Sequence, residues 1–304
     1  MFSLIICTYN PDPVKFNRVL NSIESQLMPS DEWEWIIVDN ASSISVSSLI
    51  PDHLKNRIDI IRENESGLTP ARLCAINAAK NEWLVFIDDD NVLRSDYLLS
   101  AKQEINKNNR LGALGGRLVP EYEIKPSQEV TNHLFMLAIR TPEVDVWGKD
   151  YTWDITPFGA GMVIRRSVAV YYAALLKEDI LRRSLDRKGS SLMSSGDIDM
   201  VHTAVDLGWE IGVFTSLELI HIIPATRINK KYLINMMRYN ALSNHLLFYI
   251  RFKRIPKQKP VWRRIKQHLR LWKNGDWFES KMLQAQNWGT RSAIERIKAM
   301  STEL

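Results

Sequence analysis

Three aspartates in a row, Asp88-Asp89-Asp90, follow the apolar run 83–87 (WLVFI). If the extended chain of that run continues, Asp88 and Asp90 point to one side and Asp89 to the other. Two carboxylates so placed at a strand end can share one hard divalent cation. Oxygen donors select magnesium or manganese, which keep coordination positions for substrate phosphates. A solvated acidic turn is the plain alternative, and the buried strand that feeds the turn favours a site. A second constellation is Ser194-Ser195-Gly196-Asp197-Ile198-Asp199. Acids opening a helix serve as cap and dipole residues. Facing a cleft, one of them can serve as a general base. His221 stands within the apolar stretch 219–223. It is either a core histidine or a further metal ligand beside the acidic turn.

Other chemistries fail on spacing. The sequence has no G-x-x-x-x-G-K-[ST], no G-x-S-x-G and no H-E-x-x-H. The glycines of Phe158-Gly159-Ala160-Gly161-Met162 lack a third partner and precede a strand, so they are not a dinucleotide fingerprint.

The elements that must position these residues alternate. Apolar runs at 3–7 (SLIIC), 35–38 (WIIV), 58–62 (IDIIR) and 83–87 read as strands. Stretches 12–27 and 70–80 have helical spacing between them. Short apolar strands separated by helices predict a parallel sheet covered on both faces. Ligands of such sheets sit beyond the carboxyl ends of the strands. Thr8-Tyr9-Asn10, Asp39-Asn40 and the acidic turn all fall there. After Gly115-Gly116 the pattern changes. Residues 117–157 read as irregular, with a short helix near 131–139. Residues 158–164 read as a tight turn and a strand, 167–176 and 197–207 as helices, and 210–222 as a strand pair. The chain is helical and increasingly basic from residue 229.

Charge follows the same division. The 304 residues carry 40 Lys and Arg against 35 Asp and Glu, a net of +5. Ten of the basic residues, Lys259 among them, lie between Arg251 and Asn274, where there is no acid. Removing those ten leaves 30 against 35, a net of −5. An acidic body with one basic segment argues against a nucleic-acid-binding protein. Composition is that of a globular chain, and no run reaches the ~18 apolar residues of a spanning helix. Residues 1–6 lack the basic flank of a signal peptide and read as a first strand. Two cysteines, Cys7 and Cys74, make no disulfide framework and fit a reducing, cytoplasmic compartment.

Taken in order, the motifs resemble those of family-2 glycosyltransferases with the GT-A fold. They are Cys7-Thr8-Tyr9-Asn10-Pro11, Val38-Asp39-Asn40-Ala41-Ser42, and Glu63-Asn64-Glu65-Ser66-Gly67-Leu68 with Ala71-Arg72. Phe86-Ile87-Asp88-Asp89-Asp90, Gly115-Gly116, Phe158-Gly159-Ala160-Gly161-Met162, Gly196-Asp197-Ile198-Asp199 and His221 complete the set. The resemblance covers about residues 1–225. It implies an α/β fold of GT-A type, with a mostly parallel central sheet flanked by helices and a helical basic C-terminal extension. Residues 1–225 would form the catalytic domain, 1–116 its nucleotide-binding part and 117–225 its acceptor part. Residues 226–304 would form the extension.

The resemblance also implies roles. Thr8, Tyr9 and Asn10 line the nucleotide site. Asp39 hydrogen-bonds the base, most often uracil, and Arg72 approaches the nucleotide or its phosphates. Asp88 contacts ribose or donor sugar, with Asp89 beside it. Asp90 binds the Mn2+ or Mg2+ that bridges the phosphates, with His221 as an additional ligand. Asp197 occupies the position of the catalytic base and Asp199 follows closely. Many members carry Glu-Asp where this chain has Gly196-Asp197. A slip by one would make Asp199 the base, and Asp197 is the preferred assignment. The implied reaction is inverting transfer from a nucleotide-diphosphate sugar, UDP-linked, to a hydroxyl of a glycan or lipid-linked acceptor in bacterial surface polysaccharide synthesis. A non-catalytic sugar-nucleotide-binding protein is the alternative.

Trp147 and Trp153 either stack on sugar rings or fill a core. In the stretch 261–273, Val261, Trp262, Ile265, Leu269 and Trp272 recur at helical spacing among basic residues. This amphipathic helix either lies on an anionic membrane surface, making the protein peripheral on the inner face of the membrane, or packs its stripe on the catalytic domain.

Overall fold

The computed structural model describes residues 1–258 and 260–301. Lys259, counted in the basic segment, lies outside the described residues. The strands are β1 (Phe2–Thr8), β2 (Trp33–Asn40), β3 (Ile58–Glu63), β4 (Trp83–Ile87), β5 (Asn91–Leu93), β6 (Leu111–Tyr122), β7 (Val146–Gly148), β8 (Met162–Arg165) and β9 (Glu210–Ile223). The helices are α1 (Pro13–Glu24), α2 (Leu68–Ala78), α3 (Tyr97–Lys107), α4 (Gln128–Thr131), α5 (Arg166–Glu178), α6 (Ile180–Arg183), α7 (Gly196–Asp206), α8 (Lys230–Phe252), α9 (Val261–Lys273) and α10 (Trp277–Ser301).

The chain divides into two compact units. The first comprises Met1–Glu123, Ala138–Glu178 and Asp197–Ile223; the second comprises Ile124–Leu137, Asp179–Gly196 and Pro224–Leu304. The first unit holds one sheet in the order β3-β2-β1-β4-β8-β6-β9-β5, with β7 paired to β9. Its first four strands are parallel, as the alternating runs predict. From β8 onward the sheet is mixed: β8 is antiparallel to both β4 and β6, β6 and β9 are parallel, and β5 and β7 are antiparallel to β9. The parallel half needs helical crossovers, and this is why it shows in the sequence as alternation.

Burial on both faces explains the continuous apolar runs. Leu4, Ile6, Ile37, Val85 and Ile87 pack with Phe16, Val19, Leu20 and Ile23 of α1 and with Leu98 of α3. Their sequence neighbours Ile5, Ile36, Val38, Leu84 and Phe86 pack on the other face, with Ala71, Ala75 and Ile76 of α2 and Val168 and Ala169 of α5. Each such aliphatic side chain contributes about 1.5–3 kcal/mol by leaving water. Helix α1 starts sharply because the Asp12 carboxylate caps the N–H groups of Val14 and Lys15 and Pro13 opens the first turn.

Three expectations are corrected. Residues 117–122 are not irregular, since β6 runs through Gly115-Gly116 to Tyr122. Residues 210–222 are not a strand pair but one strand of 14 residues. The two strands share an irregularity: Gly116 pairs with Phe214, whereas Arg117 pairs with Glu218. A Cβ on Gly116 would sit 1.9 Å from the Leu217 carbonyl oxygen, so only glycine permits that jog. The helix expected near 131–139 is instead the single turn α4 and a 3₁₀ turn at Leu134–Leu137.

In the second unit, α8 and α10 pack along each other and α9 packs on α10. Ser194 and Ser195 donate to Asn240 and Asn244 of α8 at 2.8 and 2.9 Å. Among the described residues, no helix is long and apolar enough to cross a membrane.

Candidate functional site

All the residues singled out for nucleotide, metal and catalysis fall in the first unit. β1 lies between β2 and β4, with Thr8 opposite Asp39 and Ile6 opposite Ile87. The three polar clusters therefore leave the sheet side by side at its carboxyl edge. The Thr8 hydroxyl donates to Asp89 across that edge.

Side-chain bonds stitch the loops together. Asn10, with φ of 49°, donates its backbone N–H to the Ser42 hydroxyl at 2.9 Å, and its side-chain oxygen accepts from the Ser43 N–H at 2.7 Å. Asn40 donates to the Glu65 carbonyl at 2.7 Å and accepts from the Gly67 N–H at 2.8 Å. Tyr9 is exposed. Asp39 is 2% exposed and accepts from the N–H groups of Ser42 and Val46 and from Arg62 Nη1 at 2.7 Å. Burial pushes its pKa up, but the Ser42 side chain, the Arg62 guanidinium and the backbone donors outweigh burial. The carboxyl lies below its ordinary value and stays charged.

The acidic turn departs from expectation. Extended structure stops at Ile87, and the chain turns at once, with the Asn91 N–H donating to the Asp88 carbonyl at 3.0 Å. Alternation therefore does not set the directions of Asp88 and Asp90. Asn91 does more: its side-chain oxygen accepts from the Asp88 N–H at 3.2 Å and its amide donates to Asp90 Oδ1 at 3.1 Å. Asn91 then pairs with His221 in the antiparallel ladder of β5 and β9. This brings buried His221 to buried Asp90, with Nε2 3.7 Å from Oδ1.

That separation is too long for a hydrogen bond. Two donors each about 2.1 Å from one cation lie at most about 4.2 Å apart, so the pair fits a shared ion. His221 Nδ1 is buried without a hydrogen-bond partner. Among the described residues no group of three or more His, Cys, Asp or Glu side chains is set to hold a metal. Two protein ligands suit a magnesium-like ion that completes its shell with water and phosphate.

The opposite wall comes from the turn before β8. Because β8 is antiparallel to β4, with Met162 opposite Phe86, residues 159–161 lie beside the end of β4 where the acidic turn begins. The Gly159 N–H donates to Asp197 Oδ2 at 2.6 Å. A Cβ on Gly159 would stand 2.8 Å from Asp197 Oδ2 and 3.1 Å from Arg72 Nη2. Arg72, buried on α2, and Asp197, half-buried at the start of α7, thus converge on one backbone position. Asp199 is fully buried one half-turn on.

These ends and loops are the pattern of a known family. The family described as glycosyl transferase family 2 matches residues 3–170. The chain belongs to glycosyl transferase family 2. A poly(ribitol-phosphate) beta-N-acetylglucosaminyltransferase, TarS, of Staphylococcus aureus is 23% identical over 187 residues, 59% of this chain and 28% of the relative. The chain thus matches only about a quarter of the length of that relative. Solved structures share the fold. S. aureus TarS 1-349 in complex with UDP-GlcNAc has a TM-score of 0.52 and 19% identity, covering 80% of this chain and 66% of that one. The mannosyltransferase PcManGT of Pyrobaculum calidifontis, in complex with GDP-Man and Mn2+, has a TM-score of 0.55 and 15% identity, covering 98% and 73%. The α/β fold is accordingly of GT-A type.

Several residues that build this cluster carry no motif. Arg62, the next-to-last residue of β3, lies opposite Asp39, a pairing visible only once the strands are in register. Tyr97 is fully buried and its hydroxyl donates to the Gly161 carbonyl at 2.5 Å; burial pushes the phenol pKa up and keeps it a donor. Arg140 donates to the carbonyls of Thr156 and Trp153 at 2.7 and 2.9 Å and lies 3.9 Å over the Phe158 ring. Burial lowers its pKa to about 10, opposed by Asp154, and it remains charged at neutral pH. These bonds brace the segment that enters Gly159. Trp153 leans on Phe158 and Trp147 stacks on Phe214, yet each is more than half exposed, so neither is a core residue.

Proposed function

We propose that the protein is an inverting glycosyltransferase that moves a sugar from a UDP-sugar to a hydroxyl acceptor in bacterial surface glycan synthesis. The observation that carries this reading is the convergence of Asp197 and Arg72 on Gly159, beside the strand end that bears Asp88-Asp89-Asp90. The TarS relative acts on poly(ribitol-phosphate) by its name, and its structure with UDP-GlcNAc supports a uridine donor here.

Each group has a task. Thr8, Tyr9, Asn10 and Asp39 receive the nucleoside, Asp39 as a charged acceptor for a base N–H. Asp88 takes ribose or sugar hydroxyls, and Thr8 holds Asp89 at the edge. Asp90 and His221 would hold a divalent cation, with manganese and magnesium both suited to the donor set. Such an ion neutralises charge on the leaving diphosphate. Arg72 adds a fixed positive charge facing the same group, an electrostatic contribution that needs no rearrangement during reaction.

Asp197 acts as the general base. As the acceptor oxygen attacks the anomeric carbon, its proton passes to an Asp197 carboxylate oxygen. The bond from that carbon to the diphosphate oxygen breaks, and UDP departs with the electron pair. Attack from the face opposite the leaving group inverts the centre without a covalent enzyme intermediate. Half-buried Asp197 can reach an acceptor, whereas fully buried Asp199 cannot without displacing its surroundings, which supports Asp197 over Asp199. Trp153, exposed beside Phe158, offers a ring face to an acceptor sugar.

A thermal-shift screen of nucleotide sugars with and without Mn2+ identifies the donor. NMR of the transferred product then reads the anomeric configuration. Stabilisation by a UDP-sugar and an inverted product are expected. Retention of configuration, or donor binding with no transfer to any hydroxyl acceptor, would overturn the reading; the second result would leave a non-catalytic sugar-nucleotide-binding protein.

A further inference from the structure

Helix α9 has the strongest amphipathic pattern among the described helices, and the face it turns to its neighbour is not the apolar one. Its bonds to α10 run through His268, whose ring nitrogens meet Ser280 Oγ at 2.8 Å and Gln284 Nε2 at 3.1 Å. Arg264, His268 and Leu271 are its partly covered residues, and they form one edge. At about 100° per residue, the stripe of Val261, Trp262, Ile265, Leu269 and Trp272 lies roughly a quarter-turn round the axis from that edge. All five stripe residues are half or more exposed, and α9 buries none of its side chains.

Turning the stripe to α10 would require rotating the helix about its axis by roughly a quarter-turn. The His268 bonds hold it in the other orientation. Charge then says what the stripe faces. Arg263, Lys266, Arg270 and Lys273 flank it on the side away from α10, and the helix contains no acid. Trp262 and Trp272 mark its two ends, Arg263 lies 5.1 Å over the Trp262 ring, and exposed Trp277 meets Trp272 edge-on. Apolar stripe, cationic flank and terminal indoles match the layers of an anionic bilayer surface: acyl boundary, headgroup charge and the zone between them. A helix of 13 residues is too short to span, so it lies in the plane.

We propose that α9 docks the protein on an anionic lipid bilayer, with the stripe of Val261, Trp262, Ile265, Leu269 and Trp272 inserted at the acyl boundary and the basic flank among lipid headgroups. This goes beyond the transfer reaction and stands without it. Adsorption confines the enzyme to the surface where a lipid-carried acceptor diffuses.

The test is flotation of the full chain with vesicles of phosphatidylcholine alone and of phosphatidylcholine with phosphatidylglycerol. Two variants accompany it: Ile265→Asp with Leu269→Asp, and Arg263→Gln with Lys266→Gln and Arg270→Gln. The protein should float with the mixed vesicles and not with phosphatidylcholine alone. The basic-flank variant should bind on the order of 100-fold more weakly, three cations at about 1 kcal/mol each. The stripe variant should stay in the soluble fraction. Both should keep the parent melting temperature, because the altered side chains are exposed. Equal flotation with both vesicle types, no flotation of the parent, or full binding by both variants would overturn the proposal. So would a dimer in solution that Ile265→Asp with Leu269→Asp dissolves, since a second copy would then cover the stripe.

Discussion

The backbone N–H of Gly159 donates a 2.6 Å hydrogen bond to the Asp197 carboxylate, across 38 residues of sequence. That bond orients the carboxylate that takes the proton in the proposed reaction. Replacing Asp197 by Asn keeps an acceptor for Gly159 but removes the base. Turnover of Asp197→Asn should fall by roughly 10²- to 10⁴-fold, with UDP affinity by calorimetry unchanged. Asp199→Asn, at a buried position, should lower melting temperature rather than the pH dependence of turnover. Near-parental turnover in Asp197→Asn would remove this residue from the mechanism.

Gly159→Ala places a methyl group 2.8 Å from Asp197 Oδ2 and 3.1 Å from Arg72 Nη2. One or both side chains must retreat, at about 1–3 kcal/mol of overpacking strain. The measurement is kcat beside melting temperature. A fall in kcat much larger than that stability loss would imply is the expected outcome. Unchanged kcat would show that neither side chain needs its present place.

Asp90 and His221 meet across the β5–β9 ladder. Asp90→Ala and His221→Ala should each weaken Mn2+ binding in the presence of UDP by at least about 10-fold, the lower end of what even an outer-sphere partner costs. Water-proton relaxation during a Mn2+ titration reads this without turnover. Parental affinity in both variants would exclude the pair as ligands.

Asp39 gives a pH prediction with a definite sign. Its folded pKa lies below the ordinary value of 3.8, so the unfolded chain takes up a proton first as pH falls. The stability that charged Asp39 contributes through its Ser42, Arg62 and backbone donors is present in full well above 3.8 and is lost as pH drops through and below that value. Melting curves from neutral to acid pH should show a shallower acid fall for Asp39→Asn than for the parent. Parallel curves would show that the Asp39 carboxylate adds no pH-dependent stability.

The parallel half of the fold was legible because each buried strand is a short apolar run. β1, β2, β3 and β4 lie within two residues of the expected limits. β6 was not legible, since its sequence LGALGGRLVPEY mixes glycine, proline and charge. Its strand state comes from pairing with β9 and with β8, which no local pattern encodes. The jog at Gly116 likewise hid the unity of β9, because three residues of β9 face no partner there and read as a break.

The candidate site divides in the same way. Sequence by itself determined which residues stand at the strand ends, because the common direction of short apolar strands carries Thr8, Asp39 and Asp88 to one edge of a parallel sheet. It also determined that α9 is amphipathic and basic. Only the tertiary structure decided that Asn91 turns the acidic chain, that Asp90 meets His221, that Gly159 binds Asp197, and which side of α9 rests on α10. Each of those depends on contacts between segments distant in sequence. Such contacts form only when packing of the whole core sets strand register and helix rotation, and single residues carry no record of either.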